Sequence, residues 1–226
     1  MRLNELKVLN TFDKVNEFDI KASGWDQNPM HLERSLAVAG QIREHIPLTK
    51  SMTALEFGAG TGITSFILKD DLKEITLMDT SLEMIRVTDD KIKTSGAKNL
   101  RTLFFDLEKA PYREASFDLI ICQMVLHHIK NTEEIFSGFY SMLNPGGFLA
   151  IADLYPEDGS FHGKDYFTGH KGFDPENLSK LLNKAGFTNI SYRKCFVIDK
   201  QISDTETKNF DVFLLIGQVS DNPLKA

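Results

Sequence analysis

The chain has 226 residues, 42% of them hydrophobic and 26% charged, enough for one domain with a substantial core. Its net charge of −6 argues against a nucleic-acid partner, because phosphate binding calls for a basic surface. No apolar run approaches the ~18 residues of a membrane span, and Met1-Arg2-Leu3-Asn4-Glu5 opens without a signal-peptide core, so a soluble cytoplasmic domain is expected. The two cysteines, Cys122 and Cys195, lie far apart in apolar runs and read as free thiols.

The first ~50 residues read as a helical preface to the same domain, with residues 51–226 as its core. Phe18 to Pro29 is turn-rich and holds the only tryptophan, Trp25. Leu32, Leu36, Ala39, Ile42 and Ile46 recur at three and four, which predicts one apolar helix face ending at Pro47. Strands then alternate with helices, the pattern of a parallel sheet covered on both faces. Thr53–Phe57 is a strand and Thr61 to Lys69 its helix. Glu74–Met78 is a second strand ending at Asp79, after which Thr80-Ser81-Leu82-Glu83 has the form of a capping box. Leu100–Phe105 and Phe117–Gln123 follow, and Asn131 caps the next helix. Asn144-Pro145-Gly146-Gly147 turns into a strand over Phe148–Asp153. Regular alternation lapses between Leu154 and Phe173. Asp174-Pro175 starts a helix that Gly186 terminates. Ile190–Ile198 and Phe210–Val219 are joined by about ten polar residues, too few for a parallel crossover, so an antiparallel hairpin is expected.

The most informative stretch is Leu55-Glu56-Phe57-Gly58-Ala59-Gly60-Thr61-Gly62, a strand entering a glycine turn that opens a helix. Such turns let a nucleotide-like ligand approach the backbone closely. The spacing differs from the Gly-x-Gly-x-x-Gly of dinucleotide binders, which weakens a nicotinamide dehydrogenase reading. Glu56 would repel a pyrophosphate but suits a ligand with a cationic amine or sulfonium, pointing to S-adenosylmethionine rather than NAD.

From about Phe12 to Gly217 the chain resembles the class I S-adenosylmethionine-dependent methyltransferases, most closely their small-molecule branch. The resemblance rests on the glycine stretch, Asp79 at a strand end, Phe105-Asp106-Leu107, Ser116-Phe117-Asp118-Leu119-Ile120, Leu143-Asn144-Pro145-Gly146-Gly147 and Lys184-Ala185-Gly186-Phe187, in the family's order. It implies an α/β, doubly wound, Rossmann-like sheet of seven mostly parallel strands, the last antiparallel, with helices on both faces. It also implies that residues 1–50 form a lid. Cofactor contacts implied are Glu56, Gly58, Ala59, Gly60 and Gly62 for the loop and methionyl end, with Gln123 beside them. Asp79 and Thr80 fall at the ribose, and Met84, Asp106 and Leu107 at the adenine. Trp25 could cover the sulfonium by a cation–π contact.

His127 and His128 follow the fourth strand, where this fold faces the methyl group, and are candidates for taking the acceptor's proton. The irregular segment supplies Asp153, Tyr155, His162, Tyr166, Phe167 and His170 as expected pocket lining. His162 and His170 could be read as metal ligands, but no cysteine or second close ligand supports it, so no metal is expected. The implied activity is methyl transfer to an O, N, S or C atom of a small molecule. The alternatives are a protein methyltransferase and a silent cofactor-binding module. Acceptor identity and oligomeric state are not encoded in these motifs.

Overall fold

The computed structural model describes residues 17–163 and 167–221. Its elements in chain order are α1 (Glu17–Lys21), a 3-10 turn (Ala22–Gln27), α2 (Pro29–His45), β1 (Thr53–Phe57), α3 (Ile63–Leu68), β2 (Glu74–Asp79), α4 (Leu82–Ser95) and β3 (Leu100–Phe104). After these come β4 (Phe117–Gln123), a 3-10 turn (Leu126–His128), α5 (Thr132–Met142), β5 (Leu143–Leu154), α6 (Pro175–Lys184), β6 (Thr188–Gln201) and β7 (Thr207–Gln218). One seven-stranded sheet runs in the order β3-β2-β1-β4-β5-β7-β6. The first five strands are parallel, and β7 is antiparallel to both β5 and β6. The order reverses between β1 and β4, and a crevice opens beyond the carboxyl ends of strands at such a point.

Alternate residues of the central strands feed two cores, because both faces are covered. Ala54, Leu77, Leu119 and Ile121 pack with Val38, Ile42 and Leu68 on one face. Leu55, Met78, Ile120 and Cys122 pack with Phe136, Phe139, Leu178 and Leu182 on the other. Helix starts follow local chemistry. Asn131 Oδ1 accepts from Glu134 N at 3.2 Å, and Asp174 Oδ1 accepts from Glu176 N at 2.8 Å. At α4 the cap is Ser81 rather than Thr80, since Ser81 Oγ accepts from Met84 N at 3.1 Å. Among the described residues no helix is long and apolar enough to cross a membrane.

Several helix and strand limits differ from expectation by one or two residues, and three departures are larger. β5 starts at Leu143, so Asn144 to Gly147 are absorbed into the strand as an irregularity opposite Phe117 and Leu119. β6 and β7 extend toward each other until only residues 202–206 link them, since polar residues suit an edge strand with an exposed face. The apolar face of α2 is rotated. Leu32 and Leu36 are 47% and 51% exposed, whereas Arg34, Ser35, Val38, Ala39 and Ile42 are buried against α3 and β6. At ~100° per residue, Leu32 and Leu36 fall roughly 80–120° around the helix from Ile42. Two polar residues take the inward positions because that side borders a polar cavity. Leu36→Gln is therefore expected to leave stability within ~0.5 kcal/mol of wild type in urea unfolding. A loss of several times that would restore the buried assignment.

The segment ahead of α2 is tied down by two aspartates. Asp19 Oδ1 accepts from Ser81 Oγ at 2.5 Å, and Asp26 bonds Thr61 Oγ1 at 2.5 Å and Lys91 Nζ at 2.6 Å. It thereby lies over the glycine turn and the start of α4.

Candidate functional site

The turn after β1 places Gly58, Gly60 and Gly62 at φ +64°, +55° and +76°, where side chains are disfavoured. Their reasons differ. A Cβ on Gly58 would come 2.4 Å from Val125 Cγ2, and one on Gly62 2.4 Å from Leu77 Cδ2, so both are packing requirements. A Cβ on Gly60 would meet only Met84 Sδ at 3.9 Å among the described residues, so here the positive φ rather than packing favours glycine; its N–H and C=O are held by Asp79 and Thr88.

Two carboxylates fix this turn. Glu56 is 4% exposed, and its Oε2 accepts from Ser65 Oγ and from Ser65 N at 3.1 Å. Burial pushes its pKa up to about 7, against weaker opposing hydrogen bonds from Ser65 and Thr64 and the charge of Lys91. Asp79 Oδ2 accepts from Gly60 N at 2.7 Å and Oδ1 from Ser81 N at 2.8 Å. Burial raises its pKa as well, with these N–H donors pulling the other way.

The opposite wall is built at the exit of β4. Met124 takes φ +56°, rare outside glycine, and redirects the chain into the Leu126–His128 turn. His127 is 1% exposed, and its Nδ1 lies 2.7 Å from Oδ1 of the fully buried Asp153. The His128 ring meets Phe18 edge-on at 5.3 Å. His162 stacks on Phe167 at 3.6 Å. Burial, with the neighbouring His127 adding to it, lowers the pKa of His128 to about 3 and of His162 to about 4, so both are neutral at pH 7. Arg34 is 6% exposed and lines the same cavity. Among the described residues its only hydrogen bond runs from Nη1 to the Met30 sulfur at 3.7 Å, and its buried Nε has no partner.

These walls enclose one cavity of about 910 Å³. Residues 55–151 match the family model described as a methyltransferase domain. The chain is 29% identical over 154 residues to an uncharacterized methyltransferase of Schizosaccharomyces pombe, covering 61% of this chain and 54% of that protein. This match and this relative support a class I S-adenosylmethionine-dependent methyltransferase. It is also 28% identical over 151 residues to the malonyl-acyl-carrier-protein O-methyltransferase of a Marinomonas species, covering 66% and 52% of the two chains. The chain thus spans about half the length of these two relatives. The solved phosphoethanolamine N-methyltransferase 2 of Haemonchus contortus, in complex with S-adenosyl-L-methionine, shares the fold. Its TM-score is 0.67 at 16% identity, covering 83% of this chain and 52% of that one.

The methyltransferase cavity gathers residues that lie far apart in sequence. Trp25, Glu56, Gly58, Ala59, Gly60, Asp79, Thr80, Met84, Asp106 and Gln123 line it, as do His127, His128 and His162. Gly62 and Leu107 do not; Leu107 packs against the core under α5 and α6. Of the expected pocket lining, Asp153 sits behind His127 and Phe167 behind His162. Tyr155 packs on Phe213 at 5.5 Å, and His170 Nε2 is within 3.0 Å of the Ile129 carbonyl. Tyr166 lies outside the described residues. His170 is thus engaged elsewhere, and His162 instead meets His127 and His128, a grouping able to hold a metal ion that spacing did not reveal. Spacing also missed Phe18, His31, Arg34, Phe161 and Lys200 as lining. Trp25 stacks on His31 at 4.3 Å rather than standing alone.

Proposed function

We propose that this methyltransferase moves a methyl group from S-adenosylmethionine to a nucleophilic O, N, S or C atom of a small molecule. The observation that carries the reading is one cavity lined by both the glycine turn and three imidazoles. Its volume is within the ~300–1,000 Å³ typical of small-ligand sites. The residues present fit the cofactor. The glycine turn lines the cavity without side chains, Asp79 offers acceptors for ribose hydroxyls, and Asp106 suits the adenine amine. Arg34, buried with its Nε unpartnered and no ion pair among the described residues, suits the methionyl carboxylate, while Glu56 suits the cationic centres. When bound, the cofactor supplies a methyl group already activated on a sulfonium. The chain's task is then alignment and exclusion of water, and alignment alone lowers such barriers by about 7–11 kcal/mol in favourable cases. Residues 17–27 close the mouth through Asp19 and Asp26, and the histidine cluster handles the acceptor's proton.

Thermal melts with S-adenosylmethionine, S-adenosylhomocysteine and NAD test the reading. At ~100 times its dissociation constant each adenosyl ligand is expected to stabilise by about 2.7 kcal/mol. For a chain of this size that is roughly 5–10 °C. A shift with NAD and none with the adenosyl ligands would sink it.

A further inference from the structure

The histidine cluster holds more donors than a general base needs, since proton transfer takes one imidazole nitrogen facing the acceptor. Here three rings converge, with centroids 4.2 Å apart for His127 and His128, 5.1 Å for His127 and His162, and 5.3 Å for His128 and His162. One ring nitrogen from each lies within 4.8 Å of the other two. Asp153 holds Nδ1 of His127, leaving Nε2 as the nitrogen available to the cavity. A carboxylate behind an imidazole orients metal-bound histidines and strengthens them as ligands. Among the described residues His162 Nε2 is buried with no hydrogen-bond partner, so they leave it unsatisfied.

We propose that His127, His128 and His162 form a site for one divalent transition-metal ion of the zinc class at the acceptor end of the cavity. Imidazole donors select zinc, copper, nickel or iron over magnesium and calcium. Three protein ligands with a fourth position open to substrate is the pattern of catalytic zinc. With metal–nitrogen bonds of about 2.0–2.1 Å, tetrahedral ligand nitrogens stand roughly 3.4 Å apart, so the rings close by up to roughly 1.4 Å on binding. Gly163 follows at φ +60°, and among the described residues nothing lies within 4 Å of where its Cβ would be.

The role of the ion rests on the methyltransferase reading. With the ion bound the three imidazoles handle the acceptor's proton through the metal and not as bases: a hydroxyl or thiol of the acceptor takes the fourth position, is acidified there and releases its proton to solvent. The bond from that oxygen or sulfur to the methyl carbon then forms as the methyl–sulfonium bond breaks, its electron pair staying on sulfur.

The test uses untagged protein, stripped with a chelator and titrated with Co²⁺ and then Zn²⁺. The expected result is one equivalent bound, with visible four-coordinate Co²⁺ bands that Zn²⁺ abolishes. His162→Ala is expected to weaken Zn²⁺ binding at least 100-fold, and Asp153→Asn 10–100-fold with a shifted Co²⁺ spectrum. Melts with S-adenosylhomocysteine run alongside. If wild type shows the ligand shift but binds no Zn²⁺, or His162→Ala binds it as tightly as wild type, the metal site is overturned and the methyltransferase reading stands. Zn²⁺ binding without any S-adenosylhomocysteine shift would instead overturn the cofactor reading and, with it, the ion's assigned role.

Discussion

Replacing Asp79 with alanine is expected to weaken S-adenosylhomocysteine binding by roughly 100-fold or more, measured by titration calorimetry. The carboxylate accepts from Gly60 N at 2.7 Å and Ser81 N at 2.8 Å, so it holds the glycine turn against the start of α4. A carboxylate has about four acceptor sites, which leaves two for the ribose hydroxyls. Hydrogen bonds to a charged group contribute about 1.5–3 kcal/mol each, so losing two costs about 3–6 kcal/mol of binding. Every 1.4 kcal/mol is about tenfold. Asp79→Asn keeps one acceptor oxygen and is expected to fall between the two. An alanine variant that binds within about threefold of wild type would remove Asp79 from the ribose site.

What the sequence disclosed is what local physics dictates. A glycine triplet between strand and helix demanded positive φ, and all three glycines have it. Asn131 and Asp174 cap because their side chains reach the amides two or three residues on, whatever the rest of the fold does. Phe117–Gln123 emerged at its observed limits because an apolar run covered on both faces has few alternatives. Long-range meetings left no such trace. His162 joins His127 through the path of a 20-residue irregular segment, which no spacing rule describes. Lys200 reaches the cavity because β6 extends past its apolar part, and that extension is polar. Arg34 and Ser35 face inward because the wall they join is a polar site, and an apolar-stripe template for α2 discards them for that reason.

Glu56→Gln is expected to make the ligand-free protein more stable than wild type at pH 8, by on the order of 3 kcal/mol, with the advantage vanishing near pH 5. Burial lifts the folded-state pKa from the ordinary 4.5 to about 7. The folded chain therefore binds this proton more tightly than the unfolded chain. That stabilisation is full below pH 4.5 and is lost as pH rises through 7, where a buried charge remains. Glutamine keeps an oxygen to accept from Ser65 N and Oγ without the charge. His128 and His162 act in the opposite sense. Their folded pKa values, about 3 and about 4, lie below the ordinary 6.5, so their contribution is present above 6.5 and lost as pH falls toward them. Both proteins carry these histidines, so the difference between urea midpoints from pH 5 to pH 8 isolates Glu56. A variant less stable than wild type at pH 8 would mean that the fold needs the charge. The expected outcome instead leaves the carboxylate destabilising in the empty protein, in the wall where a cationic methionyl group would sit. The same substitution should then weaken binding of S-adenosylmethionine, so that the stability lost to this charge is recovered when the cofactor enters.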